Sequence, residues 1–316
     1  MMPVEKLICI VGPTACGKTR LGILLAQQFN GEIISVDSMQ IYRGMEIGTA
    51  APSRKEQQGI PHHMIAVADP GQDYSVARFV KEADACIQEV LHRGKRPILV
   101  GGTGLYLDAL VQGRSFAYGE SDGSIRQALY SRLQQEGITP LYQQLQQVDP
   151  ESAQRLPQAD EKRILRALEV YFATGKTITQ HNSETAQLPP RYDAVYIGLA
   201  YSEREEMKRR IDLRVDEMVR RGLLQEVEHL LQSGVNRSCT AWQAIGFKEF
   251  LQVYDGILPL PQAIETVKLR SRQYAKRQLT WLRRNPAIHW IYWDKEQDFQ
   301  KAMQISTQIL TAEGLS

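Results

Sequence analysis

Residues 12–19 read GPTACGKT, and no other stretch restricts the fold of this chain as much. Gly12, Gly17, Lys18 and Thr19 stand on the fixed positions of G-x-x-x-x-G-K-[ST]. The apolar run 6–11 before the motif has strand length, and Leu21, Leu24, Leu25 and Phe29 after it recur at helical spacing. A loop in that setting turns unpaired N–H groups inward at a helix start, where they bind phosphate oxygens. Gly12, Pro13, Thr14, Ala15, Cys16, Gly17, Lys18 and Thr19 are therefore the expected phosphate cradle. Gly17 permits close backbone approach, Lys18 adds positive charge, and Thr19 offers a hydroxyl to Mg²⁺. The motif leaves open which phosphate is bound and what is done to it.

At 316 residues the chain exceeds the usual single domain, so a large domain with an insertion, or two domains, is expected. A hydrophobic fraction of 43% and a charged fraction of 23% are those of a soluble globular protein. No apolar run reaches bilayer length, and the opening residues carry no signal-peptide pattern. Cys9, Cys16, Cys86 and Cys239 are scattered, with no C-x-x-C pair and no histidine at ligand spacing. A reduced, cytoplasmic chain without structural zinc is expected. The net charge of +2 says nothing about nucleic acid, which must be sought in local clusters.

A second strand over 32–36 runs straight into Asp37-Ser38-Met39-Gln40. Ligands of open parallel sheets bind at the carboxyl ends of strands, so Asp37 is expected beside the phosphate loop. Three roles compete for it: holding Mg²⁺ through water, acting as a general base, or capping the next turn. Residues 44–70 read as a long ordered loop with a short helix near 53–58. His62 and His63 are adjacent on an extended segment and point to opposite sides, which favours packing or hydrogen bonding over metal binding. Ser75 is set to cap a helix running to Arg93 and stopped by Gly94. A strand over 97–100, the glycine turn 101–104 and a helix from Leu105 make a second strand–glycine–helix unit, with Thr103 facing the same crevice. Its glycines do not complete G-x-G-x-x-G.

From about 115 to 192 the strand signals vanish, and helices are expected over 124–135, 140–147 and 160–174. Strand character returns at 195–199. The expected organisation is a first core part over 1–114, a helical insertion over 115–192 and a second core part over 193–316. The fold class is α/β: a P-loop NTPase-like parallel sheet flanked by helices, with an all-helical inserted subdomain. In the insertion, Arg163 and Arg166 lie one turn apart, and a solvated face is their default reading.

The helix expected over 203–219 carries Arg210 and Arg214 beside its buried stripe. A later one, over 263–284, follows the separator 259–261 and has no acid between Thr266 and Asn285. Lys268, Arg270, Arg272, Lys276, Arg277, Arg283 and Arg284 cover most of it, while Val267, Tyr274, Ala275, Trp281 and Leu282 gather on one side. A solvated helix mixes charge signs, so this one is expected to meet a polyanion. Residues 288–293 read as a final buried strand that ties the helix into the globular body, which favours RNA or DNA over a membrane surface. These features fit a small-molecule kinase with Asp37 as base, or a nucleotide-dependent RNA-binding protein. A motor NTPase fits less well, because the strand at 98–102 ends in glycines where a metal-binding acid is needed.

The chain also resembles the bacterial tRNA dimethylallyltransferases (isopentenyl-diphosphate:tRNA transferases). The resemblance lies in GPTACGKT at 12–19, ISVDSMQIYRGMEIGTA at 34–50, GIPHH at 59–63, YSVARF at 74–79 and LVGGTGLYLDAL at 99–110. It continues in RILRALEVYFATGK at 163–176, RVDEMVRRGLLQEV at 214–227, QAIGFKE at 243–249 and AKRQLTWLRR at 275–284. The resemblance implies transfer of a dimethylallyl group from its diphosphate to the exocyclic amine of the adenine 3′ of the anticodon, in tRNAs reading codons that begin with U. It implies that Gly12 to Thr19 hold the diphosphate of the donor, with Thr19 on Mg²⁺, and that Thr103 and Arg214 contact the leaving group. Asp37 would accept the amine proton. Asp37, Ser38, Met39 and Gln40 would lie along tRNA, as would Arg163, Ile164, Leu165, Arg166, Gln243, Gly246, Lys248, Lys276, Arg277 and Arg283. The implied partners are the tRNA anticodon stem-loop and dimethylallyl diphosphate, with no membrane, and a monomer is expected. The chain departs from the family at Cys16, Ala51, Ala66 and Phe247, where Ser, Lys, Asp and Tyr are usual; none of these is a proposed catalytic group.

Overall fold

A computed structural model describes residues 6–113 and 123–315. Two compact units emerge, one made of Met1–Gly113 and Arg191–Ser316, the other of Arg114–Pro190. The expected boundary at 114–115 lies outside the described residues. At the other end, Arg191 and Tyr192 both donate backbone N–H groups to the Val111 carbonyl, at 2.9 and 3.2 Å, and so belong to the first unit.

The first unit begins with β1 (Lys6–Val11), α1 (Lys18–Gln28) and β2 (Gly31–Val36). The one-turn helix α2 (Arg54–Gln57) and the two-residue strand β3 (His62–His63) follow, then α3 (Val76–His92), β4 (Arg96–Gly101) and α4 (Gly104–Val111). The second unit holds α5 (Ser124–Glu136), α6 (Ile138–Val148), α7 (Pro150–Arg155), α8 (Glu161–Thr174) and α9 (Ile178–Ala186). The chain returns to the first unit with β5 (Asp193–Tyr201), α10 (Arg204–Arg220), α11 (Leu223–Gln232) and α12 (Phe247–Tyr254). It ends with α13 (Leu260–Leu282), β6 (Ile288–Trp293) and α14 (Phe299–Ala312).

All six strands pair in parallel in the order β3-β2-β4-β1-β5-β6. A parallel sheet needs cover on both faces, and the side-chain alternation of two supplies it. In β1, Leu7, Cys9 and Val11 face a core completed by α3, α4, α11 and α12, while Ile8 and Ile10 face one completed by α1 and α14. Such a sheet gathers its functional ends at one edge, and here β1, β2 and β4 deliver the phosphate loop, Asp37 and the Gly102–Thr103 turn to that edge.

Several expectations need correction. Helix α13 starts at Leu260 rather than Ala263, because Pro261 sits in its first turn, where a missing N–H breaks no intrahelical bond. Strand β6 is an edge strand rather than a buried one: His289 and Tyr292 are exposed between buried Ile288, Ile291 and Trp293. Helices α7, α9 and α14 had not been anticipated. Helix α13 is also less free than its acid-free sequence implies. Acids on α10 and α12 reach it: Arg272 pairs with Asp212 at 2.7 Å, Lys268 with Asp216 at 2.8 Å, and Arg270 with the buried Glu249 at 3.0 Å. Lys276, Arg277, Arg283 and Arg284 make no ion pair among the described residues. Among those residues, no helix is long and apolar enough to cross a membrane.

Glu249 also accepts the Gly246 N–H at 2.8 Å, so its truncation strands both a buried donor and a guanidinium. Glu249→Ala should cost about 1–3 kcal/mol in a denaturant titration. Glu265→Ala, which removes a more exposed partner of Lys268, should leave the midpoint unmoved.

Candidate active site

The phosphate loop is built as its sequence requires. Gly17 has φ 88°, and a side chain there would meet the Phe299 ring at 2.8 Å, so a glycine is needed on both counts. The first intrahelical bond of α1 is Leu21 N–H to the Gly17 carbonyl at 3.2 Å, which leaves the amides of Lys18, Thr19 and Arg20 without helical acceptors. Lys18 Nζ donates to the Pro13 carbonyl at 2.7 Å. Behind the loop, Trp293 Nε1 donates to the Cys16 carbonyl at 2.8 Å, and the Tyr201 hydroxyl donates to the Ala15 carbonyl at 3.4 Å. Residues at the end of the chain thus brace the loop at its beginning.

Gln278 of α13 completes this frame. Its Oε1 accepts the Thr14 N–H at 2.9 Å, and its Nε2 donates to the Gly102 carbonyl at 3.1 Å. One buried amide therefore locks the phosphate loop to the turn after β4. The sequence held a signal for it: a lone amide in register with Val267, Ala275 and Leu282 on the apolar side of the helix.

Asp37 leaves β2 at its carboxyl end. Its Oδ1 caps the following turn by accepting the N–H groups of Met39 at 2.9 Å and Gln40 at 3.3 Å. Its Oδ2 accepts no hydrogen bond among the described residues, and the residue lines the central cavity. Capping and a chemical role are thus compatible, each on its own oxygen. Burial lowers the pKa of Lys18, with nearby Cys16 and Asp37 opposing and Arg214 adding to the effect. Burial also lowers that of Arg214, and Asp37 is the main opposing charge. Arg214 Nε is buried without a hydrogen-bond partner among the described residues, and its Nη2 donates to the Ala50 carbonyl at 3.3 Å. Two desolvated cations therefore flank one carboxylate, an arrangement that favours an incoming anion.

The cavity holds about 700 Å³ and is lined by Thr14 to Thr19, Asp37 to Gln40, Arg214, Gln243, Tyr274, Arg277 and Gln278, among others. Ile23, Ile33, Ile65 and Val100 give it an apolar flank. Burial pushes the Tyr274 hydroxyl up to about 12, with the Asp37 carboxylate acting in the same direction. Thr103 lies just outside the lining, its hydroxyl accepting the Ser38 N–H at 3.3 Å. Gln40 is occupied internally: it accepts from the Ser35 hydroxyl at 2.9 Å and donates to the Thr49 and Ala50 carbonyls at 3.3 and 3.4 Å. Gly12, Pro13, Gly246, Lys248, Lys276 and Arg283 do not line the cavity, and the last three are exposed. In the helical unit, Ile164 and Leu165 are core residues at 0% and 4% exposure. Arg163 is exposed beside Asp160, and Arg166 pairs with the buried Glu169 at 2.8 Å.

No group of three or more His, Cys, Asp or Glu side chains is arranged to hold a metal among the described residues. The Thr19 hydroxyl lines the cavity and makes no side-chain hydrogen bond among them. One hydroxyl beside a phosphate cradle suits Mg²⁺, which takes most of its remaining ligands from phosphate oxygens and water.

Comparison with known proteins places the chain. The family model described as IPP transferase matches residues 40–285, and the one described as isopentenyl transferase matches residues 5–69. The tRNA dimethylallyltransferase of Carboxydothermus hydrogenoformans is 45% identical over 312 residues, covering 99% of this chain and 98% of the relative. That of Geobacillus thermodenitrificans is 46% identical over 287 residues, covering 90% of each. A crystal structure of the full-length tRNA isopentenylpyrophosphate transferase of Bacillus halodurans matches with a TM-score of 0.72 at 39% identity, covering 98% of each chain. A eukaryotic dimethylallyltransferase captured acting on tRNA matches with a TM-score of 0.83 at 34% identity, covering 98% of this chain and 80% of its own. Motif, topology and near-complete alignment agree that this chain belongs to the IPP transferase family of tRNA dimethylallyltransferases.

Proposed function

We propose that this protein, in the cytoplasm, transfers a dimethylallyl group from dimethylallyl diphosphate to the exocyclic amine of the adenine 3′ of the anticodon, in tRNAs reading codons that begin with U. The observation that carries the reading is the cavity itself. A phosphate loop, two half-buried cations and the open Oδ2 of Asp37 share it with an apolar flank of Ile23, Ile33, Ile65 and Val100 that suits a prenyl tail. The relatives named above supply the substrate class.

In this reading the amides of the loop, Lys18 and Arg214 hold the diphosphate, and Thr103 steadies it through the Ser38 backbone. As the allylic C–O bond breaks, negative charge grows on the diphosphate, and prearranged donors and cations stabilise it. The amine nitrogen forms the new C–N bond while Asp37 Oδ2 accepts its proton, so that diphosphate and one proton leave. The carboxylate matters because the amine lone pair is delocalised into the purine and attacks poorly without a proton acceptor. Thr19 would hold Mg²⁺, which would supply positive charge to offset the charge on the leaving diphosphate. The adenine must leave its stack to reach the cavity. Gln243 and Arg277 stand where it would enter, while Lys248, Lys276 and Arg283 supply exposed charge for the RNA backbone. On the helical unit Arg163 and Arg166 are the polar candidates for tRNA, because Ile164 and Leu165 face its core. The reaction as written needs a single chain.

Incubation with radiolabelled dimethylallyl diphosphate, Mg²⁺ and unmodified tRNA should place label in the tRNA; ATP turnover without label would sink the reading in favour of a kinase. Asp37→Ala should lower kcat by about 10²–10⁴-fold. Its tRNA Kd should stay within a few-fold of wild type. Replacing Lys276 and Arg277 together by Glu should weaken tRNA binding and flatten its dependence on salt concentration, measured by filter binding.

A further inference from the structure

Residues 45–51 form a hydrogen-bonded turn beside the cavity. Thr49 N–H donates to the Met45 carbonyl at 3.0 Å, Ala51 to Glu46 at 2.9 Å, and Ala50 to Ile47 at 3.0 Å. The leading amides of such a turn, those of Ile47 and Gly48, have no acceptor within it. Both are met by one side chain from 178 residues or more away: Glu226 Oε2 accepts from Ile47 at 2.8 Å, and Oε1 from Gly48 at 2.7 Å. Glu226 lies in the first turn of α11 and so caps a second turn foreign to its own helix. Burial pushes its carboxyl above the usual value, and the two amides pull it back. Hydrogen bonds from two amides to an ionised carboxylate are of the strong, charge-assisted kind.

Packing reinforces the latch. A Cβ on Gly48 would lie 2.3 Å from the Phe247 ring and 2.8 Å from a Leu223 methyl group, so the turn is pressed flat against the starts of α11 and α12. The far end of the turn faces the reaction: the Ala50 carbonyl accepts from Arg214 Nη2 at 3.3 Å, and the Thr49 and Ala50 carbonyls accept from Gln40 Nε2. Fixing the amides at 47 and 48 fixes the peptide planes that aim these carbonyls.

We propose that Glu226 is a positioning residue for prenyl transfer, acting through the 45–51 turn to hold Arg214 against the leaving diphosphate and to orient Gln40. This rests on the transferase reading above. The test compares wild type with Glu226→Gln, whose amide keeps one acceptor and turns an NH₂ group toward the other backbone donor. At saturating donor and tRNA, kcat should fall about tenfold or more, as expected for a misaimed group. KM for tRNA should move by less than about threefold, since the lost contact acts on the reacting end. Amide exchange at Thr49, Ala50 and Ala51 should quicken in the same variant. A folded Glu226→Gln enzyme with wild-type kcat and only a lowered melting temperature would overturn the proposal. Should that variant fail to fold, Glu226→Asp retains the charge but draws the carboxylate back by one methylene. Its kcat should lie between the wild-type value and a tenth of it, and full activity would likewise overturn the latch. Absence of label with the wild-type chain would instead overturn the transferase reading, so the two failures are distinct.

Discussion

Lys18 and Arg214 are half-buried cations at one cavity, and burial disfavours the charge of each; Cys16 and Asp37 oppose that cost at Lys18, and Asp37 chiefly at Arg214. Desolvated charge of one sign is tolerated only where an opposite charge completes it. The surrounding structure is arranged so that this imbalance persists until an anion arrives. Lys18 rests on the Pro13 carbonyl, and Arg214 Nε has no partner among the described residues. In the proposed reaction a diphosphate would answer both, and binding that strengthens as its leaving charge grows would turn binding energy toward the transition state. The cavity walls then matter for holding these groups still.

Much of that rigidity comes from helix α13, whose residues divide into three jobs. Lys268, Arg270 and Arg272 are consumed by Asp216, Glu249 and Asp212 and fasten the helix to α10 and α12. Gln278 faces inward and ties the phosphate loop to the Gly102 turn, while Trp281 donates to Asp108 of α4 at 2.8 Å. Lys276, Arg277, Arg283 and Arg284 are exposed and make no ion pair among the described residues. The unpaired basic side chains and the amide that ties the phosphate loop thus share one helix.

The local parts of this arrangement were legible in residue patterns. The phosphate loop between strand and helix, the Ser75 cap and the alternating strands each depend on neighbours within a few positions. His62 and His63 illustrate the limit. Their opposed directions were readable, but that His63 meets Glu32 at 2.7 Å follows from the pairing of β3 with β2. Asp37 shows the same limit in chemistry. Its type and place allowed a cap or a base, and only the turn geometry assigns one oxygen to the cap and leaves the other toward the cavity. Helix α14 was legible and overlooked: Asp298 caps it, and Phe299, Ala302, Ser306 and Leu310 recur at helical spacing, whereas the packing of Phe299 behind the phosphate loop follows only from the fold.

By itself, then, the order of residues determined a phosphate-binding α/β core, a helical insertion and a basic helix, because periodicity, caps and loop motifs are written at separations of a few residues. Tertiary structure alone decided which charges are free, which carboxylate latches which turn, and which distant side chains steady the reactive loop. Those outcomes rest on contacts such as Thr14 with Gln278 and Gly48 with Glu226, separated by 264 and 178 positions. Partners so far apart in sequence meet only after the sheet has folded and both its faces are covered.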